Sequence, residues 1–297
     1  MFCASCGTAG GNGIKLKDCS ACHLVKYCDI ECQKEHRPRH KKECKKRAAE
    51  LRDEILFKQP KSTHLGDCPI CCLPLPIDTT ESKSILMGCC SKIICDGCNI
   101  ANQKREMEGR LQHTCPFCRK PAPETDEDKI EQLMKRIKAN DPFAIRFMAM
   151  ERYRGGDYKS AFEYSARAAA LGDVEAHYQL SIFYRYGKGV EKDENRALHH
   201  TEQAAIGGHP NARHNLGSFE GTKDRVDRAV KHYIIATKLG LGNSLHALKT
   251  IYKAGHVRKE DFAAALRGHK AAVDATKSPQ REEAGKLRQA AQKGGGV

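Results

Sequence analysis

The sixteen cysteines of this 297-residue chain all lie between Cys3 and Cys118. Many stand in C-x2-C pairs, a spacing at which one tight turn presents two sulfurs to the same metal ion. The chain opens MFCASCGTAGG, without the basic start and apolar run of a secretory signal. In a reducing compartment, cysteines more often bind metals than form disulfides. The cysteine distribution therefore predicts thiolate metal ligands within residues 3–118.

The first cysteine cluster occupies residues 3–44 and offers eight nitrogen or sulfur ligands, spaced C-x2-C, C-x2-C, C-x3-C and H-x3-C. The candidate ligands are Cys3, Cys6, Cys19, Cys22, Cys28, Cys32, His40 and Cys44. Zinc takes four such ligands in a tetrahedron, so eight ligands predict two sites. His36 competes with His40 for one position. We favour His40 because it lies one helical turn from Cys44.

The string VKYCDIECQKEHRPRHKKEC at residues 25–44 resembles a MYND-type zinc finger, with Tyr27, Gln33 and the HKKEC ending matching that family. The resemblance implies two interleaved sites. One zinc ion would take Cys3, Cys6, Cys28 and Cys32, and the other would take Cys19, Cys22, His40 and Cys44. It also implies a protein-interaction module that docks short proline-containing peptides. Arg37 stands where members of this family usually carry tryptophan, and the chain contains no tryptophan.

A second cluster follows a linker at residues 45–66 and occupies residues 67–119. Its eight candidate ligands are Cys68, Cys71, Cys89, Cys90, Cys95, Cys98, Cys115 and Cys118, and Cys72 is left over. The order C-x2-C, C-C, C-x2-C, C-P-F-C resembles an all-Cys variant of the RING-type finger. The resemblance implies a cross-brace, with Cys68, Cys71, Cys95 and Cys98 on one zinc ion and Cys89, Cys90, Cys115 and Cys118 on the other. His113 is an alternative to Cys89 or Cys90, because adjacent ligands need a sharp backbone turn.

RING-type fingers that act as ubiquitin ligases hold a ubiquitin-charged conjugating enzyme in a reactive pose and form no covalent intermediate. The resemblance implies three contact residues for that enzyme: Ile70 and Pro116 inside the first and last cysteine pairs, and Arg119 after the final cysteine. The central aromatic residue of many such fingers is absent from residues 99–114. Two hypotheses follow. The chain is either a ubiquitin ligase that recruits substrate through its other segments, or a non-enzymatic adaptor that binds proteins.

Beyond residue 140 the sequence repeats itself. The strings AAALGDVEA, AAIGGHPNA and ATKLGLGNS begin at Ala168, Ala204 and Ala236, and a degenerate fourth copy begins at Ala271. The string YRYGKGVEKDENRAL at residues 184–198 resembles a Sel1-like repeat, a relative of the tetratricopeptide type. That resemblance implies pairs of helices stacked into a solenoid, whose concave surface binds protein partners.

The predicted fold is therefore multidomain, with two small zinc-stabilised modules of little regular structure followed by an all-α helical-repeat solenoid. Residues 120–140 are predicted as a linker with a helix, residues 141–278 as the repeats and residues 279–297 as a tail. The ligand count predicts about four zinc ions per chain. Protein partners are expected at the MYND-like finger and the repeats.

The net charge and the remaining histidines say less about function than the cysteines and the repeats do. Each thiolate removes one positive unit relative to its thiol and each zinc adds two, so fifteen thiolates with four zinc ions lower the net charge from +14 to +7. The basic run at residues 34–47 lacks the interleaved aromatic residues of a nucleic-acid surface, so nucleic acid is not expected as a partner. No metal role is expected for His199, His200, His209 and His214.

The apolar runs of the sequence are shorter than the ~18 residues of a membrane helix, so no membrane contact is expected. Together with the predicted thiolate ligands, this favours an intracellular protein of the cytoplasm, the nucleus or both.

Overall fold

The computed structural model describes residues 1–11, 13–77 and 83–294, and within them the chain forms twelve helices and four short strands. The chain divides into two compact units, Met1–Lys58 and Gln59–Val297. Most of the described residues are helical, and regular structure is sparse before residue 120 apart from two helices. In these ranges no helix is both long enough and apolar enough to cross a lipid bilayer.

The first unit contains one short antiparallel sheet and one long helix. Strand β1 (Lys17–Asp18) pairs with β2 (Lys26–Tyr27), and helix α1 follows at Ile30–Leu56. The Asp29 side chain accepts a hydrogen bond from the amide of Cys32 at 2.8 Å, which caps the first turn of α1. The buried residues at its centre are Cys3, Cys19, Cys22 and Tyr27, so this core consists chiefly of candidate metal ligands.

The second unit begins with a small module around the later cysteines. Strands β3 (Ser84–Met87) and β4 (Lys92–Cys95) form an antiparallel hairpin, and helix α2 (Asp96–Glu108) follows β4 directly. The buried cluster of this module consists of three cysteines with Leu75 and Ile94. We call residues 67–119 the second zinc module.

The rest of the second unit is helical, and several of its helices begin at a side-chain cap. Helix α3 (Asp126–Lys138) starts with a capping box between Thr125 and Asp128. The following helices are α4 (Pro142–Arg154), α5 (Tyr158–Ala170), α6 (Val174–Tyr186), α7 (Glu194–Ile206), α8 (Pro210–Thr222), α9 (Val226–Lys238), α10 (Gly242–Lys253), α11 (Lys259–Ala275) and α12 (Pro279–Gly294). Aspartate side chains accept hydrogen bonds from the first turns of α4 to α7.

Helices α4 to α9 pack as three successive pairs, α4 with α5, α6 with α7 and α8 with α9. Small residues recur at two positions of each repeat and are fully buried: Ala168, Ala176, Ala204, Ala212, Ala236 and Ser244. Because these side chains are short, neighbouring helices approach closely. The sequence repeat therefore corresponds to a contact between helices that recurs from one repeat to the next. Helix α12 instead packs on α2 of the second zinc module.

Candidate metal centres

The first candidate centre joins the start of the chain to the start of α1. Cys3 and Cys6 lie on an N-terminal turn, Cys28 follows β2, and Cys32 lies in the first turn of α1. The Cys28 sulfur lies 3.7 Å from those of Cys3 and Cys6 and 3.3 Å from that of Cys32. Four thiolates at the ~2.3 Å Zn–S distance of a tetrahedral site lie ~3.8 Å apart. The four sulfurs therefore match the size of a zinc site.

The second centre is more deeply buried and brings α1 back onto the β1–β2 hairpin. Cys19 and Cys22 flank the turn after β1, while His40 and Cys44 lie one helical turn apart on α1. The sulfurs of Cys19 and Cys44 are 3.8 Å apart, and Nε2 of His40 is 3.1 Å from the sulfur of Cys22.

His36, the alternative to His40, lies outside the groups of candidate ligands among the described residues. Its Nδ1 atom is 3.0 Å from the hydroxyl of Tyr27, and its ring stacks on that of His40. His36 therefore connects α1 to Tyr27 of β2, and the structure brings His40 to the cysteines.

The third centre joins the first turn of the second zinc module to the start of α2. Its members are Cys68, Cys71, Cys95 and Cys98. The sulfurs of Cys71 and Cys95 are 3.8 Å apart, and the backbone amide of Cys95 donates to the sulfur of Cys68 at 3.4 Å. Cys68 is fully buried.

The fourth centre contains the adjacent pair Cys89 and Cys90. The turn between β3 and β4 is tight, because the amides of Cys90 and Ser91 both donate to the carbonyl of Met87 and Ser91 adopts a left-handed backbone. The turn directs both sulfurs to one place: Cys89 lies 3.4 Å from Cys118, and Cys90 lies 3.9 Å from Cys115. His113, the alternative ligand, instead lies 3.2 Å from the buried carboxylate of Glu106.

Within each group, the pKa of some thiols is lowered and the pKa of others is raised. The amide of Cys6 donates to the sulfur of Cys3 and lowers its pKa to about 6, whereas the hydrogen bond of Cys32 to Cys28 raises the pKa of Cys32. In the other groups, burial raises the pKa of Cys44, Cys98 and Cys89, and the neighbouring thiols act in the same direction; for Cys19, Cys68 and Cys118, hydrogen bonds outweigh burial and lower the pKa. A group thus loses its first proton readily and later protons against accumulated negative charge. A divalent cation offsets this negative charge and so favours loss of the later protons.

These four groups are the donor sets that zinc prefers, three of four cysteines and one of three cysteines with a histidine. They point to bound zinc at about four sites per chain. Both modules interleave their ligands, so each zinc ion would join segments distant in sequence. A zinc ion with four protein ligands has no open coordination position, and its chemistry here is to hold the fold together. Cys72 lies outside the groups and is exposed.

The three residues proposed to contact a conjugating enzyme have different surroundings. Ile70 is exposed on the turn of the third centre. Pro116 is buried and lines a cavity of about 1010 Å³ between the second zinc module and helices α3 and α4. Arg119 has a left-handed backbone, and its Nη1 atom donates to the side-chain oxygen of Asn102 at 2.9 Å.

One further group of potential ligands was not singled out by the sequence. Both His64 and His209 direct Nε2 at the same carboxylate oxygen of Glu175, at 3.1 and 3.0 Å. Nδ1 of His209 accepts a hydrogen bond from the amide of Ala212 and caps α8. Because Nδ1 is the acceptor, the neutral ring carries its proton on Nε2 and donates it to Glu175. The donor pattern therefore favours a hydrogen-bonded bridge over a metal site.

This bridge fastens the segment before the second zinc module to the repeats. The amide of His64 also donates to the carbonyl of Gly208. Gly208 has a left-handed backbone, and a Cβ atom there would lie 2.7 Å from the carbonyl oxygen of Ser62. The sequence does not reveal the bridge, because Glu175 lies 111 positions from His64 and 34 from His209, with no spacing pattern that connects them.

The other three histidines named in the sequence analysis, His199, His200 and His214, also lie on the repeats. Nδ1 of His200 is 3.0 Å from Nδ1 of His177, and the His199 ring packs edge-on against His200. Burial lowers the pKa of His200 to about 4, with the positive charges of His177 and His199 acting in the same direction. His214 contacts the hydroxyl of Ser244. None of these three falls within a candidate metal group among the described residues.

The cysteine centres and the paired helices define a zinc-binding protein built on a helical-repeat scaffold. Residues 3–44 match the family described as the MYND finger, and residues 142–173, 174–209 and 210–241 each match the Sel1 repeat. The chain therefore carries a MYND finger and Sel1 repeats. The degenerate copy at Ala271 lies beyond the matched repeats.

The chain matches similar curated proteins over only a small part of their length. The chain is 27% identical over 72 residues to DAP3-binding cell death enhancer 1 of Rattus norvegicus, and 33% identical over 90 residues to chitin synthase regulatory factor 4 of Schizosaccharomyces pombe. The matches cover 24% and 30% of this chain but only 14% of each relative.

Two solved structures are also similar. A Sel1 repeat protein from Oxalobacter formigenes is 26% identical, with a TM-score of 0.42, over 52% of this chain and 64% of its own. A protective antigen of uropathogenic Escherichia coli with an SLR fold is 20% identical, with a TM-score of 0.39, over 65% of this chain and 40% of its own.

Proposed function

We propose that this protein is an intracellular ubiquitin ligase in which the MYND finger and the Sel1 repeats bind a substrate protein. In this proposal the second zinc module is a RING-type finger that docks a ubiquitin-charged conjugating enzyme. Catalysis would consist of positioning, since no covalent step is assigned to this chain. The intracellular location follows from the need to keep fifteen cysteines as thiolates.

The observation that carries this proposal is the cross-braced grouping of the second zinc module around α2. Its first and third cysteine pairs converge, and so do its second and fourth. This order places the turns at residues 68–71 and 115–118 on different zinc ions. Each turn exposes one apolar side chain, Ile70 at 41% and Phe117 at 42%. Exposed apolar side chains on two rigid turns suit a protein-docking surface.

Two features favour the alternative, a non-enzymatic adaptor. The guanidinium of Arg119 is bonded to Asn102 within the module, whereas a ligase would use it to contact ubiquitin and the conjugating enzyme together. Of the three expected contacts, Pro116 is buried, and only Ile70 and Arg119 are exposed. In an adaptor the same zinc module would bind a partner without promoting transfer.

For the repeats, the support for a protein partner is an aromatic and basic cluster. Lys188 lies over the rings of Tyr153 and Tyr158, at 4.9 and 5.1 Å from their centres, and Tyr186 nearby in sequence is 65% exposed. Tyrosine is enriched at protein interfaces because it combines a large apolar ring with a hydrogen-bonding hydroxyl.

A ubiquitin-chain assay with a broad panel of conjugating enzymes distinguishes the two hypotheses. We expect the zinc-loaded protein to build chains with at least one enzyme, and Ile70→Ala to abolish them. Ile206→Ala is the matched control, because Ile206 has similar exposure, 38%, but lies at the end of α7. Inactivity of the folded, zinc-loaded protein across the panel would reject the ligase proposal and leave the adaptor.

A further inference from the structure

Helix α12 packs on the second zinc module, although the contacting residues lie nearly two hundred positions apart in the sequence. Ala284 on α12 is fully buried, and Gly97 on α2 faces the backbone of the incoming helix. A Cβ atom at Gly97 would lie 2.8 Å from the backbone nitrogen of Arg281. The two backbones are therefore in contact at this point, and only glycine leaves room for the approach.

The side chain of Arg281 gives this contact its chemical specificity. Its guanidinium donates to the carbonyls of Pro74 at 2.6 Å and Leu73 at 3.1 Å, and also to the carbonyl of Thr276, which caps the end of α11. Its Nη2 atom lies 3.3 Å from the sulfur of Cys71. One planar side chain thus holds the backbone of the first cysteine turn and donates to a proposed zinc ligand.

Charge favours the same arrangement. A zinc ion with four thiolates carries a net charge of −2, so a guanidinium beside one sulfur is an attractive partner for the loaded centre. Two further ion pairs join the helices: Arg288 pairs with Asp96 at the start of α2, and Lys104 pairs with Glu283 at 3.3 Å. Hydrogen bonds to metal-bound ligands typically raise metal affinity, because they hold the ligand in place and stabilise its charge.

We propose that α12 is an intramolecular ligand of the second zinc module and that Arg281 positions Cys71 for zinc. Docking of α12 and zinc binding at Cys68, Cys71, Cys95 and Cys98 are then thermodynamically linked. Because linkage is reciprocal, a docked α12 tightens zinc binding, and bound zinc tightens the docking of α12 by the same factor. This linkage depends on zinc binding and not on ligase activity.

Zinc release to a chromogenic chelator tests the first half of the linkage in the full-length protein. Loss of an outer-shell hydrogen bond to a metal ligand typically weakens metal binding about 10- to 100-fold, so we expect Arg281→Met to release one of its zinc ions faster than the unchanged protein by up to that factor. Arg281→Lys should give an intermediate rate, since lysine keeps the charge without the planar fork. Equal release rates for Arg281→Met and the unchanged protein would overturn the proposal.

A second variant reaches the same contact without altering Arg281. Gly97→Ala should also speed zinc release, because its new methyl group displaces the backbone of α12. Gly285→Ala is the matched control: it makes the same substitution on α12 where no atom lies within 4 Å of the added Cβ. A release rate of Gly97→Ala no faster than that of Gly285→Ala would count against the proposal.

The reciprocal half is measured by hydrogen exchange. Removal of zinc should increase exchange of the α12 amides while the amides of α4 to α9 stay protected. In Arg281→Met, α12 amides should exchange faster even with zinc bound, which a purely local effect on Cys71 would not produce. Unchanged α12 exchange after complete zinc removal would refute the linkage.

Discussion

Replacement of His209 by alanine removes two interactions seen in the structure at once, and the loss of each lowers the free energy of unfolding. The ring caps α8 through Nδ1, and loss of such a cap costs about 1 kcal/mol. It also donates to the carboxylate of Glu175, and a hydrogen bond to a charged group contributes about 1.5–3 kcal/mol. Glu175 keeps 28% of its side chain exposed, so water partly replaces the lost donor. The expected destabilisation is therefore about 3 kcal/mol.

Hydrogen exchange of the α8 amides measures this cost locally, which avoids treating a multidomain chain as two-state. A loss of about 3 kcal/mol corresponds to exchange on the order of 100-fold faster. Two variants separate the contributions. His64→Ala removes one donor to Glu175 and leaves the cap intact. His209→Asn keeps a capping oxygen but is too short to reach Glu175, so each should cost about 2 kcal/mol.

The bridge would be refuted by α8 exchange in His209→Ala that stays within a factor of two of the unchanged protein. It would also be refuted if His64→Ala had no effect, because two donors to one carboxylate oxygen are the basis of the interpretation. Glu175→Gln should cost about as much as His64→Ala, since the amide oxygen is uncharged and accepts more weakly while the α8 cap stays intact.

Two further predictions concern pH and metal. Burial lowers the pKa of His209 despite the neighbouring Glu175, so the unfolded ring protonates near pH 6.5 while the folded ring is still neutral. This contribution to stability is present above pH 6.5 and is lost as the pH falls towards the lower pKa of the folded ring. Faster intrinsic-rate-corrected exchange of α8 at pH 5.5 than at pH 7.5 would show this, and equal protection would contradict it. Chelation should abolish exchange protection in residues 3–44 and 67–119 but preserve it in α4 to α9, because Leu75 and Ile94 contribute only about 1.5–3 kcal/mol each against about 10–16 for a zinc ion. Retained protection in metal-free residues 67–119 would oppose that account.

The zinc chemistry and the repeats could be predicted because both leave local patterns in the sequence. Cysteines spaced at two or three residues share a turn, and the buried alanines at Ala176 and Ala212 mark successive repeats. The hairpin turn at Ser91 explains how adjacent Cys89 and Cys90 reach one group, a geometry that spacing alone does not define.

Two sets of contacts could not be predicted in the same way: those between the second zinc module and α12, and those between the segment before that module and the repeats. Arg281 is one of 51 lysine and arginine residues, and its position relative to Cys71 depends on the path of every helix between them. The Glu175 bridge has the same origin. Single contacts between distant residues leave no period or spacing in the sequence, so they become visible only in three dimensions.

Zinc content, measured by elemental analysis of the purified full-length protein, tests the central claim most directly. We expect four zinc ions per chain, because the structure gathers fifteen cysteines and His40 into four groups of four. Cys72→Ser should retain all four, since Cys72 lies outside every group. Two zinc ions per chain would contradict the account of the second zinc module, and none would contradict the account of both.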